Sequence, residues 1–163
     1  MRTLLILRHG KAAQDEGGGD RERPLTKWGK RAAELVGHLL RDSDLVPDHM
    51  ISSRALRAKD TARRVAAAAK FGGVLDELDE LYLAEPGVYI TAVGRLAEDA
   101  ERVMVVGHNP ALEALVLLLT GEPVSLPPAG LVVCELPISN FSELSLGLRG
   151  KMTRFERPKD LED

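Results

Sequence analysis

Two histidines stand at the points where aliphatic runs of the sequence stop. His9 follows the run at residues 4–7, with Arg8 before it, and His108 follows the run at residues 103–106. In an open α/β sheet the ligand crevice lies beyond the carboxyl ends of the strands. Arginine presents planar forks of donors that match phosphate oxygens, and an imidazole beside cations tends to stay neutral and keep a free lone pair. This arrangement favours chemistry on a phosphoryl group.

Further basic groups follow the same pattern. A third run, residues 49–52, leads to Arg54 and Arg57 at the start of a helical segment. Pro110 stands where another helix should begin, and the free N–H groups and positive dipole end there suit an anion near His108. A catalytic zinc site would usually add a further His, Asp, Glu or Cys ligand to the two histidines. We therefore expect no metal site.

The chain alternates short aliphatic runs with longer helical patterns, which is typical of an α/β domain. We predict a single domain over residues 1–163, a three-layer sandwich with a mixed, mainly parallel sheet and helices on both faces. Strands are predicted at 4–7, 49–52, 103–106, 131–136 and 144–148, and helices at 26–41, 55–70, 88–96 and 111–119. The last two strands form an antiparallel pair at one edge of the sheet. The remaining predictions are an unassigned segment at 74–83, a mobile loop at 15–20, a turn at 86–87 and a frayed tail at 158–163.

Composition limits the function classes. The 163 residues are 44% hydrophobic and 29% charged, with a formal net charge of -3, which gives no overall attraction to nucleic acid or an anionic membrane. The single cysteine, Cys134, lies in an apolar run and is expected to be a buried hydrophobic residue. The N-terminal segment is too short for a signal sequence, and no apolar run reaches the length of a membrane span. We expect a cytoplasmic monomer.

Four ordered motifs lie between residues 4 and 110. They are Arg8-His9-Gly10, Arg23-Pro24-Leu25-Thr26 followed by Gly29, a Ser-x-x-x-Arg-Ala-x-x-Thr-Ala pattern within 52–62, and Gly107-His108-Asn109-Pro110. Together they resemble the histidine phosphatase superfamily, which also includes the cofactor-dependent phosphoglycerate mutases. The short chain and the forms of the second and fourth motifs are most similar to the compact SixA-type branch, which removes phosphate from phosphohistidine.

The resemblance implies roles for six residues. It implies that His9 attacks phosphorus and becomes a transient phosphohistidine, that Arg8 and Arg57 clamp the phosphoryl oxygens, that His108 donates to an equatorial oxygen, that Arg23 extends the pocket and that Asn109 supports the anion. No cofactor is required by such a reaction. The substrate implied is a phosphorylated protein, such as a histidine phosphotransfer domain, or a small phosphorylated molecule.

The sequence leaves alternatives open. Larger members of the superfamily carry a glutamate as general acid on a longer insertion, whereas here Asp79, Glu80 and Glu85 lie in a short segment and none can be assigned. A phosphatase of small phosphomonoesters or phosphosugars would use the same residues. A phosphate-dependent binding module without turnover is a further alternative. Without the other motifs, His9 would be interpreted as a structural histidine and Arg23 as part of a solvated charge cluster.

Overall fold

The computed structural model describes residues 1–161 and contains one six-stranded sheet. Its strands are β1 Arg2–Arg8, β2 His49–Ser53, β3 Val74–Leu78, β4 Arg102–Gly107, β5 Leu131–Leu136 and β6 Lys151–Glu156. They lie in the order β3-β2-β4-β1-β5-β6. The first four are parallel, while β5 is antiparallel to both β1 and β6. The predicted mixed, mainly parallel α/β fold is confirmed.

Four helices cover the two faces of the sheet. They are α1 Lys27–Asp42, α2 Leu56–Ala69, α3 Pro86–Leu96 and α4 Ala111–Thr120. Helix α1 begins at the predicted N-cap, because the Thr26 hydroxyl accepts a hydrogen bond from the Gly29 backbone N–H at 3.0 Å. Helices α1 and α2 share one hydrophobic core with the sheet, and α3 and α4 share the other. The sheet is therefore the middle of three layers.

Strand β1 is buried on both faces. Leu4 and Ile6 belong to the core under α3 and α4, whereas Leu5 and Leu7 belong to the core under α1 and α2. None of the four is more than 1% exposed. Burial on both faces explains why the strand is continuously aliphatic instead of alternating with polar residues. Because the strand is packed on both sides, the position of its carboxyl end, and so of the backbone at His9, is fixed.

The last predicted strand was wrong. Residues 144–148 form a turn, closed by a hydrogen bond from the Leu148 N–H to the Ser145 carbonyl, and Leu144 is buried in the core beneath α3 and α4. The strand that pairs antiparallel with β5 is β6, which lies at the sheet edge and is only half buried on one face. The leucine spacing misled the prediction because Leu144 inserts into the core and Leu148 packs against it from a turn, while Leu146 is exposed.

Three smaller predictions also change. Pro86 and Gly87 form the first turn of α3 instead of a separate turn, since proline suits the first helical position. The unassigned segment divides into β3 and a short 3-10 turn at Asp79–Leu81. Pro158 is buried and Leu161 packs against the core, so the predicted frayed tail is part of the fold through residue 161. Its last two residues lie outside the described residues.

Candidate active site

Three parallel strands end side by side at one edge of the sheet. In the register of β1 and β4, Arg8 lies opposite Gly107, so the residues that follow, His9 and His108, are neighbours in space. Their ring centroids are 5.2 Å apart. Strand β2 lies on the other side of β4 and brings Ser53 to the same edge. The sheet topology thus brings together two histidines that are 99 positions apart in the sequence.

The imidazole of His9 is oriented by its own loop. Its Nδ1 lies 2.7 Å from the Gly10 carbonyl oxygen. Because a carbonyl can only accept, Nδ1 carries the proton and the lone pair of the neutral ring is on Nε2. Burial lowers the pKa of His9 to about 3, helped by the nearby charges of His108, Arg57 and Arg8. His9 is therefore neutral near pH 7, with Nε2 available as a nucleophile.

Gly10 allows three elements to meet beneath His9. A Cβ at this position would lie 2.9 Å from the Gly29 carbonyl oxygen at the start of α1. The Gly10 N–H donates to the Thr61 hydroxyl at 3.0 Å, and that hydroxyl donates to the Arg57 carbonyl on α2 at 2.7 Å. The close approach explains why glycine follows the histidine. It also couples the positions of His9 and Arg57.

His108 is held from two sides. Its Nε2 lies 2.8 Å from the Ser53 hydroxyl oxygen, and its backbone N–H donates to the Tyr89 hydroxyl at 3.2 Å. The Ser53 hydroxyl also accepts from the Ala55 N–H at 3.2 Å. Burial lowers the pKa of His108 to about 4, with Arg57 as the next cause. With Nε2 engaged by Ser53, Nδ1 is the nitrogen left to interact with a ligand.

The arginines leave buried donors without a partner. Arg8 donates from Nη1 to the Leu126 carbonyl at 2.9 Å, and Arg57 donates to the Asp20 carbonyl and carboxylate at 2.7 and 3.0 Å. Among the described residues, the buried Nε atoms of both arginines have no hydrogen-bond partner. Both arginines line the cavity described next, so these donors are available to a ligand that accepts hydrogen bonds.

One cavity of about 480 Å³ collects all six residues singled out in the sequence. Its lining includes Arg8, His9, Arg23, Arg57, His108 and Asn109. The rest of the lining includes Tyr82, Leu83, Glu85, Pro86, Pro110 and Ala111. Cationic and neutral donors thus surround a lone pair on His9, an arrangement suited to an anion that reacts with a nucleophile.

Comparisons with known proteins agree with this geometry. The model of the histidine phosphatase superfamily (branch 1) matches residues 4–84. An uncharacterized protein of Mycobacterium tuberculosis is 34% identical over 115 residues, which cover 69% of each chain. The chain belongs to the histidine phosphatase superfamily. Solved structures extend this likeness beyond the first half of the chain.

Two solved structures of SixA proteins superpose on nearly the whole chain. The putative phosphohistidine phosphatase SixA of Agrobacterium tumefaciens has a TM-score of 0.82 at 29% sequence identity and covers 96% of this chain and 98% of its own. The protein histidine phosphatase SixA complexed with tungstate has a TM-score of 0.84 at 25% identity and covers 98% of this chain and 99% of its own. The predicted resemblance to the superfamily and to its SixA-type members is confirmed.

Arg23 and Asn109 occupy different parts of this cavity. Arg23 reaches the cavity from the loop before α1, where its Nε donates to the Ala13 carbonyl at 2.7 Å. Asn109 donates from Nδ2 to the Leu126 carbonyl at 3.1 Å, and its buried Oδ1 has no partner within residues 1–161. An amide oxygen only accepts, so Asn109 does not hold a phosphate through that atom. Its anion-binding role stays a prediction.

The three unassigned carboxyl groups differ in their partners and in whether they line the cavity. Asp79 pairs with Arg21 and Arg54, and the hydrogen bond from Arg21 is the main cause that lowers its pKa. Glu80 pairs with Arg95 at 3.2 Å. Neither lines the cavity, whereas the exposed Glu85 does. Glu85 is therefore the one of the three placed to exchange a proton at the cavity mouth.

Sequence reasoning missed Asp20. This residue ends the predicted mobile loop at 15–20, but its carboxylate contacts Arg23, Arg57 and Tyr82. The Asp15 carboxylate holds the rest of that loop by accepting from the N–H groups of Gly17 and Gly19. The only signal in the sequence is the position of Asp20, an acid three residues before the Arg23 motif in a glycine-rich segment. Such acids are usually solvated, so the pattern alone does not assign it.

A metal site and a membrane span were both expected to be absent. Within residues 1–161 no three His, Cys, Asp or Glu side chains are grouped so as to hold a metal ion. No described helix is long and apolar enough to cross a membrane. Independence of metal stays a prediction, which chelation can test directly, and so do the cytoplasmic location and the monomeric state.

Proposed function

We propose that this chain hydrolyses a phosphoryl group through a covalent intermediate on His9, and that its substrate is phosphohistidine in a protein. The observation that carries the proposal is the lone pair on Nε2 of His9. The hydrogen bond from Nδ1 to the Gly10 carbonyl fixes the orientation of the ring, and burial keeps the ring neutral. The ring lines a cavity that Arg8 and Arg57 also line. A neutral imidazole among cationic donors is suited to nucleophilic attack on an anion.

The reaction has two steps. In the first, Nε2 of His9 attacks phosphorus, so that the N–P bond forms while the bond from phosphorus to the leaving group breaks. Arg8, Arg57 and His108 donate to the phosphoryl oxygens as their charge is redistributed. In the second, water attacks phosphorus, the N–P bond breaks, and inorganic phosphate leaves with His9 regenerated. The protein supplies positioning and charge, which is most of what phosphoryl transfer requires.

Two observations support phosphohistidine as the substrate. The SixA structures that match nearly the whole chain include one named as a protein histidine phosphatase. The cavity lining includes the exposed residues Leu83 and Glu85, and no described buried carboxyl group lines it. Imidazole is a better leaving group than an alkoxide, so phosphohistidine needs less acid assistance. An open site also admits a side chain carried by a folded protein.

One observation favours a second candidate, a small phosphomonoester or phosphosugar. Glu85 is exposed and is the one carboxyl residue among the described residues that line the cavity. An alkoxide leaving group requires a proton in the transition state. Glu85→Gln should then lower turnover of alkyl phosphates and leave phosphohistidine hydrolysis within about twofold, since general acids contribute about 10²-fold or more where they are needed.

The test compares hydrolysis of a phosphohistidine peptide, p-nitrophenyl phosphate and a panel of sugar phosphates. We expect preference for the phosphohistidine peptide, with full activity in EDTA and a loss of at least about 10⁴-fold in His9→Ala. His38→Ala is the matched control, because His38 is exposed on α1. Turnover of phosphomonoesters alone would select the second candidate. Phosphate binding without turnover of any substrate would favour a binding module, and activity lost in EDTA and restored by zinc would contradict metal independence.

A further inference from the structure

One carboxylate contacts three side chains of the cavity wall. Asp20 Oδ2 accepts from Nη2 of Arg57 at 3.0 Å and from the Tyr82 hydroxyl, while Oδ1 accepts from Nη1 of Arg23 at 3.1 Å. The backbone carbonyl of Asp20 also accepts from Nη1 of Arg57, at 2.7 Å. These contacts join the loop before α1, helix α2 and the segment after β3. We call this set of contacts the Asp20 bridge.

The bridge fixes the orientation of both guanidinium groups. Both terminal nitrogens of Arg57 are occupied by Asp20, so the guanidinium plane cannot rotate without breaking two hydrogen bonds. Arg23 is held between Asp20 on Nη1 and the Ala13 carbonyl on Nε. The Arg57 side chain is only 8% exposed, whereas that of Asp20 is 47% exposed, so water screens this ion pair on the side of the carboxylate.

The bridge also fixes the aromatic wall. Tyr82 donates its hydroxyl proton to Asp20, and its ring meets the His108 ring edge-on with centroids 5.6 Å apart. Tyr82 lines the cavity. Asp20 therefore contacts the two parts of the site that do not lie at strand ends, which are the arginines Arg57 and Arg23 and the ring of Tyr82.

We propose that Asp20 is a positioning residue that holds Arg57 and Arg23 in the orientation required by the phosphoryl group in the transition state. The inference rests on the proposed phosphatase function and adds a residue to its machinery. Misplacing a positioning group by a fraction of its contact distance raises the barrier to reaction more than it weakens binding of the ground state.

The surroundings of Asp20 exclude a role as the general acid. Hydrogen bonds from Tyr82, then Arg23 and Arg57, lower its pKa, so it remains a carboxylate through the neutral range. A permanent negative charge beside Arg57 reduces the attraction of the cavity for an anion. Because the charge of Asp20 weakens binding of the anionic substrate, Asp20 can help the reaction only through the orientation that it gives to the arginines.

The first test is Asp20→Asn, which keeps the size of the side chain and removes its charge. We expect kcat to fall about 10- to 100-fold, while the inhibition constant of inorganic phosphate changes by less than about threefold, because lost orientation and lost repulsion oppose each other in the ground state. Asp15→Asn is the matched control in the same loop, where the carboxylate bonds only to backbone N–H groups. An unchanged kcat in Asp20→Asn, or an equal fall in Asp15→Asn, would overturn the proposal.

The second test asks whether Asp20 acts through Arg57. In an Arg57→Lys background the carboxylate still holds Arg23 but no longer has the planar fork of Arg57 to orient. We expect Asp20→Asn to change kcat less than about threefold there, a coupling that a double-mutant cycle measures. Full additivity of the two substitutions would contradict a positioning role through Arg57.

A third readout does not depend on turnover. Hindered rotation of the Arg57 guanidinium should give separate Nη proton resonances by NMR in the wild type and in Asp15→Asn, and averaged resonances in Asp20→Asn. If the wild type hydrolyses none of the substrates, the proposed function fails while this measurement still judges the bridge. Averaged Arg57 resonances in the wild type would overturn the bridge even if the protein is an active phosphatase.

Discussion

The floor and the rim of the cavity are held by different forces. The floor consists of His9, His108, Ser53, Thr61 and Tyr89, all buried and connected by hydrogen bonds to strand ends and helix starts. The rim lies outside the cavity lining and consists of the exposed ion pairs that Arg21 and Arg54 form with Asp79. Asp20 and Tyr82 lie between the two regions.

The difference predicts where substitutions matter. Floor residues have few alternative positions, because the packed sheet fixes the backbone from which each side chain extends. Exposed ion pairs contribute little to stability, since water and salt screen them. Catalytic geometry should therefore depend strongly on the floor, less on the bridge formed by Asp20, and little on the rim.

The largest effect expected in the floor, apart from loss of the nucleophile, comes from His108. Removing a donor that meets developing charge on a transferring group costs about 10²- to 10³-fold in kcat. His108→Ala should therefore lower kcat by that factor and keep the fold, because the Tyr89 contact to the backbone of residue 108 remains. Steady-state kinetics with p-nitrophenyl phosphate measures it. A loss below about tenfold would remove His108 from the reaction.

The same burial predicts how stability depends on pH. Both floor histidines have pKa values lowered by burial, to about 3 for His9 and about 4 for His108. Between pH 6.5 and 4 the unfolded chain binds protons that the folded chain does not, so stability is present above pH 6.5 and is lost as the pH falls. From about pH 7 to 5 each histidine should account for about 2 kcal/mol of lost unfolding free energy.

Urea unfolding at about pH 7 and about pH 5 measures this loss. His9→Gln and His108→Gln should each remove about half of the pH dependence, since glutamine does not titrate. His38→Gln is the control, as an exposed histidine on α1. Equal pH dependence in all four proteins would show that the floor histidines are protonated in the folded state.

A smaller effect is expected from the group that orients His108. Ser53→Ala removes the hydroxyl at 2.8 Å from Nε2 and frees the ring to rotate. We expect about a tenfold fall in kcat, the equivalent of one hydrogen bond of about 1.4 kcal/mol. Ser52→Ala is the matched control, because the buried Ser52 hydroxyl bonds to the Ser53 carbonyl and does not touch His108. Equal losses in both variants would indicate a packing effect alone.

The two histidines of the floor were predictable from the sequence, for physical reasons. Strand ends are marked by aliphatic runs that stop abruptly, and parallel strands place their carboxyl ends at one edge. His9 and His108 can therefore be assigned to one site from the sequence alone. Arg57 follows from its place at the start of the helix after β2. Each assignment uses a local pattern that the topology brings together.

The bridge and the sheet edge were not predictable in the same way. Asp20 contacts Arg57 and Tyr82, which are 37 and 62 positions away, and its local sequence is that of a solvated loop. Strand β6 is an edge strand whose residues alternate between exposed and half buried, so it has no aliphatic run to mark it. In both cases the deciding interaction is long-range and leaves no periodic pattern in the sequence.

The smallest effect should come from the rim. Asp79→Asn breaks the contacts with Arg21 and Arg54, but Asp79 is more than half exposed and does not line the cavity. We expect kcat and KM for a phosphohistidine peptide and for p-nitrophenyl phosphate to change less than about twofold, and the midpoint of urea unfolding to stay close to that of the wild type. A large fall in kcat for phosphomonoesters alone would identify Asp79 as a proton donor. It would also show that the rim moves toward the floor when substrate binds, and that the division between the two regions holds only for the free protein.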